Sequence, residues 1–264
     1  MRVISIINLK GGVGKTVSAI NIAHILAANY KARVLLIDND KQGNASKFFE
    51  LHSYDLPSVA DVLTGRAMPI AEVVRHSQYD RLDLVPANMG LLTANSSLLV
   101  DTSRTRDYRM RSSLEAVADH YDWCVIDNAP DINISVINAL MASDDVLIPV
   151  KIDRFAFDGL QELVEQIDDI RTSNDRLRLA GCFFTMYQRN RVSREGDDWM
   201  RQEQPYPVFE TQIRNTVKVT ETTYAGRPLL DYSPNCTASK DYLRLVAEYL
   251  EGRDCAWQNS VFGT

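Results

Sequence analysis

Two lysines, three glycines and a hydroxyl residue crowd into seven positions near the N-terminus, Lys10-Gly11-Gly12-Val13-Gly14-Lys15-Thr16. Glycines let a backbone turn tightly and aim successive N–H groups at one anion. A lysine in the place of Lys15 reaches the β- and γ-phosphates of a nucleotide, and a hydroxyl in the place of Thr16 is a hard oxygen ligand for Mg²⁺. Two further segments carry acids. Val34-Leu35-Leu36-Ile37-Asp38-Asn39-Asp40 ends in a pair of carboxylates, and Trp123-Cys124-Val125-Ile126-Asp127-Asn128-Ala129-Pro130 places one at the end of a second apolar run. Side chains alternate along a strand, so Asp38 and Asp40 are expected to point the same way, one supporting metal-bound water and the other orienting an attacking water. Asp127 suits the acid that holds the water shell of Mg²⁺. The chemistry these residues spell is phosphate binding and metal-assisted transfer of a phosphoryl group to water.

Such groups work only if strand ends bring them together. Val3–Ile7, Val34–Ile37, Leu82–Val85, Trp123–Ile126, Val146–Val150 and Leu179–Thr185 are rich in Val, Ile and Leu and apolar at nearly every position, as strands buried on both faces are. Helical patterns lie between them, including Thr16–Asn29, Arg111–His120 and Phe157–Arg171. In the first, Ile20, Ala23, His24 and Ala27 fall close to one face. Strand–helix alternation predicts an α/β fold of three layers, a mainly parallel twisted sheet with helices on both faces. The phosphate loop follows a strand and opens a helix, the context it requires. The acids sit at the carboxyl edge of the sheet, where open α/β folds bind ligands. The polar stretch Gln188–Gln204 predicts a surface excursion with a short helix. We expect one domain over residues 1–252, then a tail, 253–264, of little periodicity.

The 264 residues, 45% of them hydrophobic, suffice for one large core. A net charge of −6 argues against a constitutive, strongly basic DNA-binding protein. Cys124, Cys182, Cys236 and Cys255 form no C-x-x-C pair or metal-ligand spacing and suit a reducing compartment. The opening apolar run is too short for a signal peptide. No run of about 18 apolar residues is present, so no membrane span and a cytoplasmic location are expected.

The run Lys-Gly-Gly-Val-Gly-Lys-Thr resembles the deviant Walker A signature of the ParA/MinD-type ATPases, and the resemblance extends from the first strand to about residue 250. It implies ATP as substrate with Mg²⁺, an ATP-dependent sandwich homodimer, and Lys10 reaching across the interface to the partner's nucleotide. Lys10, Gly11, Gly12, Val13, Gly14, Lys15, Thr16 and Val17 would bind the nucleotide, and Thr16, Asp38 and Asp127 the metal. Lys10, Lys15 and Asp40 would act in hydrolysis. Asp38-Asn39-Asp40-Lys41-Gln42-Gly43-Asn44 is similar to the family's Asp-x-Asp-Pro-Gln-Gly-Asn run, with Lys41 in place of proline, and the match makes Asp40 the water-positioning acid. Leu9 stands where the ordinary phosphate loop has its first glycine, and Val17 where many relatives have a second threonine. Thr185-Met186-Tyr187 and Ile213-Arg214-Asn215 resemble segments flanking the adenine in the ParA branch. They suggest Met186, Ile213, Arg214 and Asn215 as base contacts, with core packing the alternative for Met186.

Three functions share this machinery. A ParA/Soj-type partition ATPase would bind nonspecific DNA as an ATP dimer, become nucleoid-associated in that state, and respond to a ParB-like centromere-binding protein. A MinD-like positioning ATPase would need a basic amphipathic tail helix, whereas Lys240–Gly252 is amphipathic but acidic and suits packing. An electron-transfer iron protein would need paired cysteine ligands that Cys124 and Cys182 do not provide. Arg104, Arg106, Arg109 and Arg111, and Arg189, Arg191, Arg194 and Arg201, are the two basic clusters available to DNA.

Overall fold

Runs that are apolar at every position become strands only where both faces are covered, and the chain supplies the covering helices in alternation with them. The computed structural model describes residues 1–64, 68–103, 105–153 and 158–262, with side chains other than those of 158 and 253–262. In chain order the elements are β1 (Arg2–Ile6), α1 (Lys15–Ala28), β2 (Val34–Asn39), α2 (Asn44–Phe48), α3 (Val59–Leu63), α4 (Ile70–Val73), β3 (Arg75–His76), β4 (Leu82–Val85) and α5 (Gly90–Val100). There follow α6 (Arg109–Glu115), β5 (Trp123–Asn128), α7 (Ile134–Ala142), β6 (Asp145–Lys151), α8 (Asp158–Arg171), β7 (Arg178–Thr185), α9 (Arg191–Glu203), α10 (Val217–Ala225), α11 (Leu229–Tyr232) and α12 (Thr237–Phe262).

Among the described residues the sheet runs β3-β4-β2-β5-β1-β6-β7. All neighbours pair in parallel except the two-residue edge strand β3, which is antiparallel to β4. The order departs from the chain order at β1, which lies between β5 and β6, and the phosphate loop leaves the carboxyl end of that strand. Alternation divides the core. Ile4, Ile6, Val34, Leu36, Val125 and Leu147 pack with α1 and α12. Val3, Leu35, Ile37, Cys124 and Ile126 pack with α3, α5, α6 and α7, and α8 covers Val146 and Ile148.

Helix α1 departs from the one-sided face expected for it. Ala19 through Ala27 are all buried because the sheet lies on one side and α12 on the other. Tyr242 and Ser18 share a hydrogen bond of 2.9 Å between those helices, and the Tyr249 hydroxyl donates to Asp145 at 2.6 Å. Helix α9 spans 13 residues, longer than the short helix expected, held at its start by Asn190, whose side chain accepts the Ser193 N–H at 2.8 Å. The helix expected from Phe157 begins, within the described residues, at Asp158; Phe157 itself lies outside them. Helix α12 continues beyond Gly252 to Phe262.

Candidate functional site

The loop after β1 is held in shape by its own polar groups and by its neighbours. The Asn8 amide donates to the Pro149 carbonyl at 2.8 Å, and its oxygen accepts the Lys10 N–H at 2.9 Å. Gly12 and Gly14 adopt φ of 72° and 89°, a left-handed backbone that side chains other than glycine rarely enter. Gly14 is the N-cap of α1, so the positive end of that helix faces the loop. From the β7 side the Thr185 hydroxyl donates to the Val13 carbonyl at 2.7 Å. The Lys15 ammonium, largely buried, donates to the Lys10 carbonyl at 2.9 Å. Burial pulls the pKa of Lys15 down, against the upward pull of Asp127, Asp40 and Asp131.

Parallel pairing in register sets Asp38 of β2 directly beside Asp127 of β5, on strands about 4.8 Å apart. Asp127 in turn pairs with Ile6 of β1, where the loop departs. Both acids belong to the α1 face, since Leu36 and Val125, two residues before them, pack there. Both are buried, but they are treated differently. One oxygen of Asp38 accepts the Ser46 N–H at 2.8 Å and the Ser46 hydroxyl at 2.7 Å; the other accepts the Asp40 N–H at 3.2 Å. Burial still pushes the Asp38 carboxyl up to about 6. Neither oxygen of Asp127 has a hydrogen-bond partner. Burial first, then the charge of Asp38, holds its pKa well above the ordinary carboxylate range; the nearby Thr16 hydroxyl opposes this without forming a hydrogen bond of ordinary geometry. Two orphaned carboxylate oxygens beside a hydroxyl and a second carboxylate make a set of hard donors, which fits a magnesium ion.

Asp40 lies one residue past the end of β2, so strand alternation does not place it. A turn does. Its carboxylate accepts the Gln42 N–H at 3.0 Å, it is half-buried, and its charge is felt at Asp38, Asp127 and Lys15. Lys10 forms an ion pair with Asp153 of its own chain, both side chains about one-third exposed.

The residues expected around a base do converge. Met186, Ile213, Arg214 and Asn215 line a cavity of about 170 Å³ with Gly14, Val17 and Tyr242, so it opens beside the phosphate loop. Met186 is 37% exposed and takes a left-handed φ of 52°, so of its two alternatives core packing is the one that fails. The 213–215 segment extends the end of β7: Ile213 N–H donates to the Phe184 carbonyl at 2.7 Å, and Asn215 N–H to that of Tyr187 at 3.0 Å. The Arg214 guanidinium is engaged by the buried Asp241 through bonds of 2.8 and 2.6 Å, and its N–H donates to the same carboxylate at 3.1 Å.

The basic clusters fare unequally. Arg106, Arg109 and Arg111 pair with Asp107, Asp101 and Glu115, and Arg104 lies outside the described residues. In the second cluster Arg191 pairs with Glu195 and Arg201 with Asp197 and Glu210, while Arg189 and Arg194 are exposed. Cys124 and Cys182 are fully buried. Ser46, Asp153 and Asp241 carry no local signal of their roles. Asn8 had one, an amide at a strand end two residues before the signature lysine.

A phosphate loop at the departure of β1, with two acids in register on the next two strands, β5 and β2, defines a P-loop nucleoside-triphosphatase. Comparison with known proteins narrows this. Residues 1–179 match a family described as an AAA domain. The chain is 36% identical over 257 residues to the chromosome partitioning protein ParA of Caulobacter vibrioides, covering 95% of this chain and 94% of that one. It is 33% identical to the sporulation initiation inhibitor protein Soj of Bacillus subtilis, covering 94% and 97%. Among solved structures it superposes, with a TM-score of 0.81 and 25% identity over 100% of this chain and 97% of that one, on a cobyrinic acid a,c-diamide synthase from Mycobacterium smegmatis with bound ATP analog and magnesium. The chain belongs to this AAA-domain family and, within it, to the ParA/Soj type.

Proposed function

We propose that the protein is a partition ATPase that hydrolyses ATP with Mg²⁺ and uses the nucleotide to switch a homodimer on and off nonspecific DNA. The observation that carries the proposal is the pair Asp38 and Asp127, buried in register beside the phosphate loop with both Asp127 oxygens unpartnered. Thr16, Asp38 and Asp127 would hold the magnesium ion, which when bound supplies positive charge against the phosphates. The site needs no cage of its own: among the described residues no group of three His, Cys, Asp or Glu converges, and magnesium is ordinarily held largely by phosphate and water. The Gly11–Lys15 backbone and the Lys15 ammonium hold the phosphates. The cavity at Met186 and Ile213–Asn215 takes the adenine. Asp40 accepts a proton from the attacking water and aligns it.

Lys10 completes the reading. Its bond to Asp153 joins two partly exposed groups, and such pairs are worth about 0–1 kcal/mol, so Lys10 can leave it for the phosphates of a partner's nucleotide. The DNA surface is best sought around Arg189 and Arg194, because these are exposed whereas Arg106, Arg109 and Arg111 are partly buried. A ParB-like protein would stimulate turnover. The MinD-like alternative is disfavoured by α12, whose Tyr242, Leu245, Val246 and Tyr249 are buried against α1 and the sheet and so are not available to a lipid surface. No helix of the described residues is long and apolar enough to cross a membrane.

The test is co-sedimentation at low salt with DNA or with anionic vesicles, in ATP, ADP and no nucleotide, alongside phosphate release. ATP-dependent binding to DNA, retained in Asp40→Ala while phosphate release is lost, is the expected result. Binding to vesicles alone, or undiminished turnover in Asp40→Ala, overturns the proposal.

A further inference from the structure

We infer that Ser46 is a positioning residue of the magnesium face, fixing the Asp38 carboxylate and tying it to the turn between β4 and α5. The inference rests on the function proposed above and adds to it a residue outside the loop and acid signatures. Ser46 is fully buried, and each polar group it owns on this side is spent. Its N–H and its hydroxyl both donate to the same Asp38 oxygen, at 2.8 and 2.7 Å. Its hydroxyl oxygen accepts the Ala87 N–H at 2.8 Å. A hydroxyl has one proton to give, and here it goes to the acid.

The surroundings leave Ser46 little choice of position. Gly43, at φ +63°, brings its backbone so close to the turn that a Cβ there would lie 2.7 Å from both the Ala87 carbonyl and the His52 ring. The turn is itself braced, with the Asn88 amide donating to the Ser53 carbonyl at 2.7 Å and its oxygen accepting the Gly90 N–H at 2.8 Å. So Asp38 is held from a rigid neighbour through a single hydroxyl, whereas Asp127 opposite has no such hold. Groups that orient an acid toward a metal are ordinarily worth 10–100-fold in metal affinity. Alanine at position 46 would leave the carboxylate to the backbone N–H groups of positions 46 and 40 alone, cut its tie to the turn and leave the Ala87 N–H without its acceptor.

The experiment follows the binding of a fluorescent ATP analogue to the full chain while Mg²⁺ is titrated, with the metal concentration at half-saturation as the readout. Ser46→Ala should raise that concentration about tenfold, with binding in excess chelator unchanged. Ser46→Thr, which keeps the hydroxyl, should restore it. Ser46→Cys, which keeps the volume with a weaker donor, should raise it by a smaller factor and serves if the alanine variant does not fold. In an Asp38→Asn background, replacing Ser46 should add nothing further. An unchanged Mg²⁺ midpoint in Ser46→Ala, or an equal shift with and without Asp38, overturns the positioning role while the ATPase reading stands. Wild-type protein whose nucleotide binding ignores Mg²⁺ overturns both, and that outcome is recognisable because it appears before any substitution is made.

Discussion

Asp38→Asn should make the nucleotide-free protein more stable at neutral pH and less stable in acid. The wild-type carboxyl is fully buried and pushed from 3.8 up to about 6. The folded state therefore holds a proton that the unfolded chain releases. The cost is absent below about pH 4, grows between pH 4 and 6, and is constant above; two pKa units correspond to about 3 kcal/mol. An amide carbonyl can accept both Ser46 donors as the carboxylate does. Its nitrogen cannot accept the Asp40 N–H, a long bond of 3.2 Å, and that loss costs about 1 kcal/mol. The net expectation is a gain of about 2 kcal/mol at pH 7.5, or roughly 4–8 °C in Tm for a chain of this size, and a loss of about 1 kcal/mol at pH 4. Relief of Asp127, whose pKa the Asp38 charge helps to raise, acts in the same direction at neutral pH. Thermal and urea unfolding followed by circular dichroism, in chelator and across pH 4–8, measures both signs. A variant less stable than wild type at pH 7.5, or a difference independent of pH, refutes the argument that an uncompensated buried charge is stored in this cleft.

Gly43→Ala forces a side chain into φ +63° and to within 2.7 Å of the Ala87 carbonyl; it should cost about 1–3 kcal/mol, read as a lower urea midpoint at unchanged m-value. Lys10→Ala should lower the stability of the monomer by less than about 1 kcal/mol, because the pair with Asp153 is partly exposed. It should also abolish the proposed ATP-dependent dimerisation in light scattering while leaving binding of labelled ATP intact. Asp241→Asn loosens the clamp on Arg214 and with it the wall of the base cavity; KM for ATP should rise about tenfold with kcat within about twofold, the pattern of lost uniform binding.

The sequence carries the parallel strands well because burial on both faces writes itself as unbroken apolar runs; all six expected strands appear within two residues of their bounds. Arg75-His76 escapes because a polar two-residue edge strand has neither an apolar run nor a period. The phosphate loop and the acids Asp38 and Asp127 are legible because each is pinned to a strand end. Asp40 is legible by resemblance but sits on a turn, which alternation cannot address. The partners that hold these groups are hidden for a different reason. Asp153 lies 143 residues from Lys10 and Asp241 lies 27 from Arg214, so only the folded topology joins them. Ser46 is close in sequence, but the role inferred for it depends on Ala87 arriving on the turn after β4. The all-round burial of α1 is likewise set by α12, which a local window on Thr16–Asn29 does not contain.

That last arrangement bears on how the protein is made. Ser18, on the helix that opens from the phosphate loop, bonds to Tyr242, 224 residues later in the chain. On the ribosome, where folding generally proceeds from the N-terminus, Ser18 emerges those 224 residues ahead of Tyr242, and α1 stays uncovered on that side until α12 follows. Contacts of such long span make closure slow. A nascent chain therefore cannot close the packing around the helix that follows its phosphate loop until Tyr242 and its neighbours have been made.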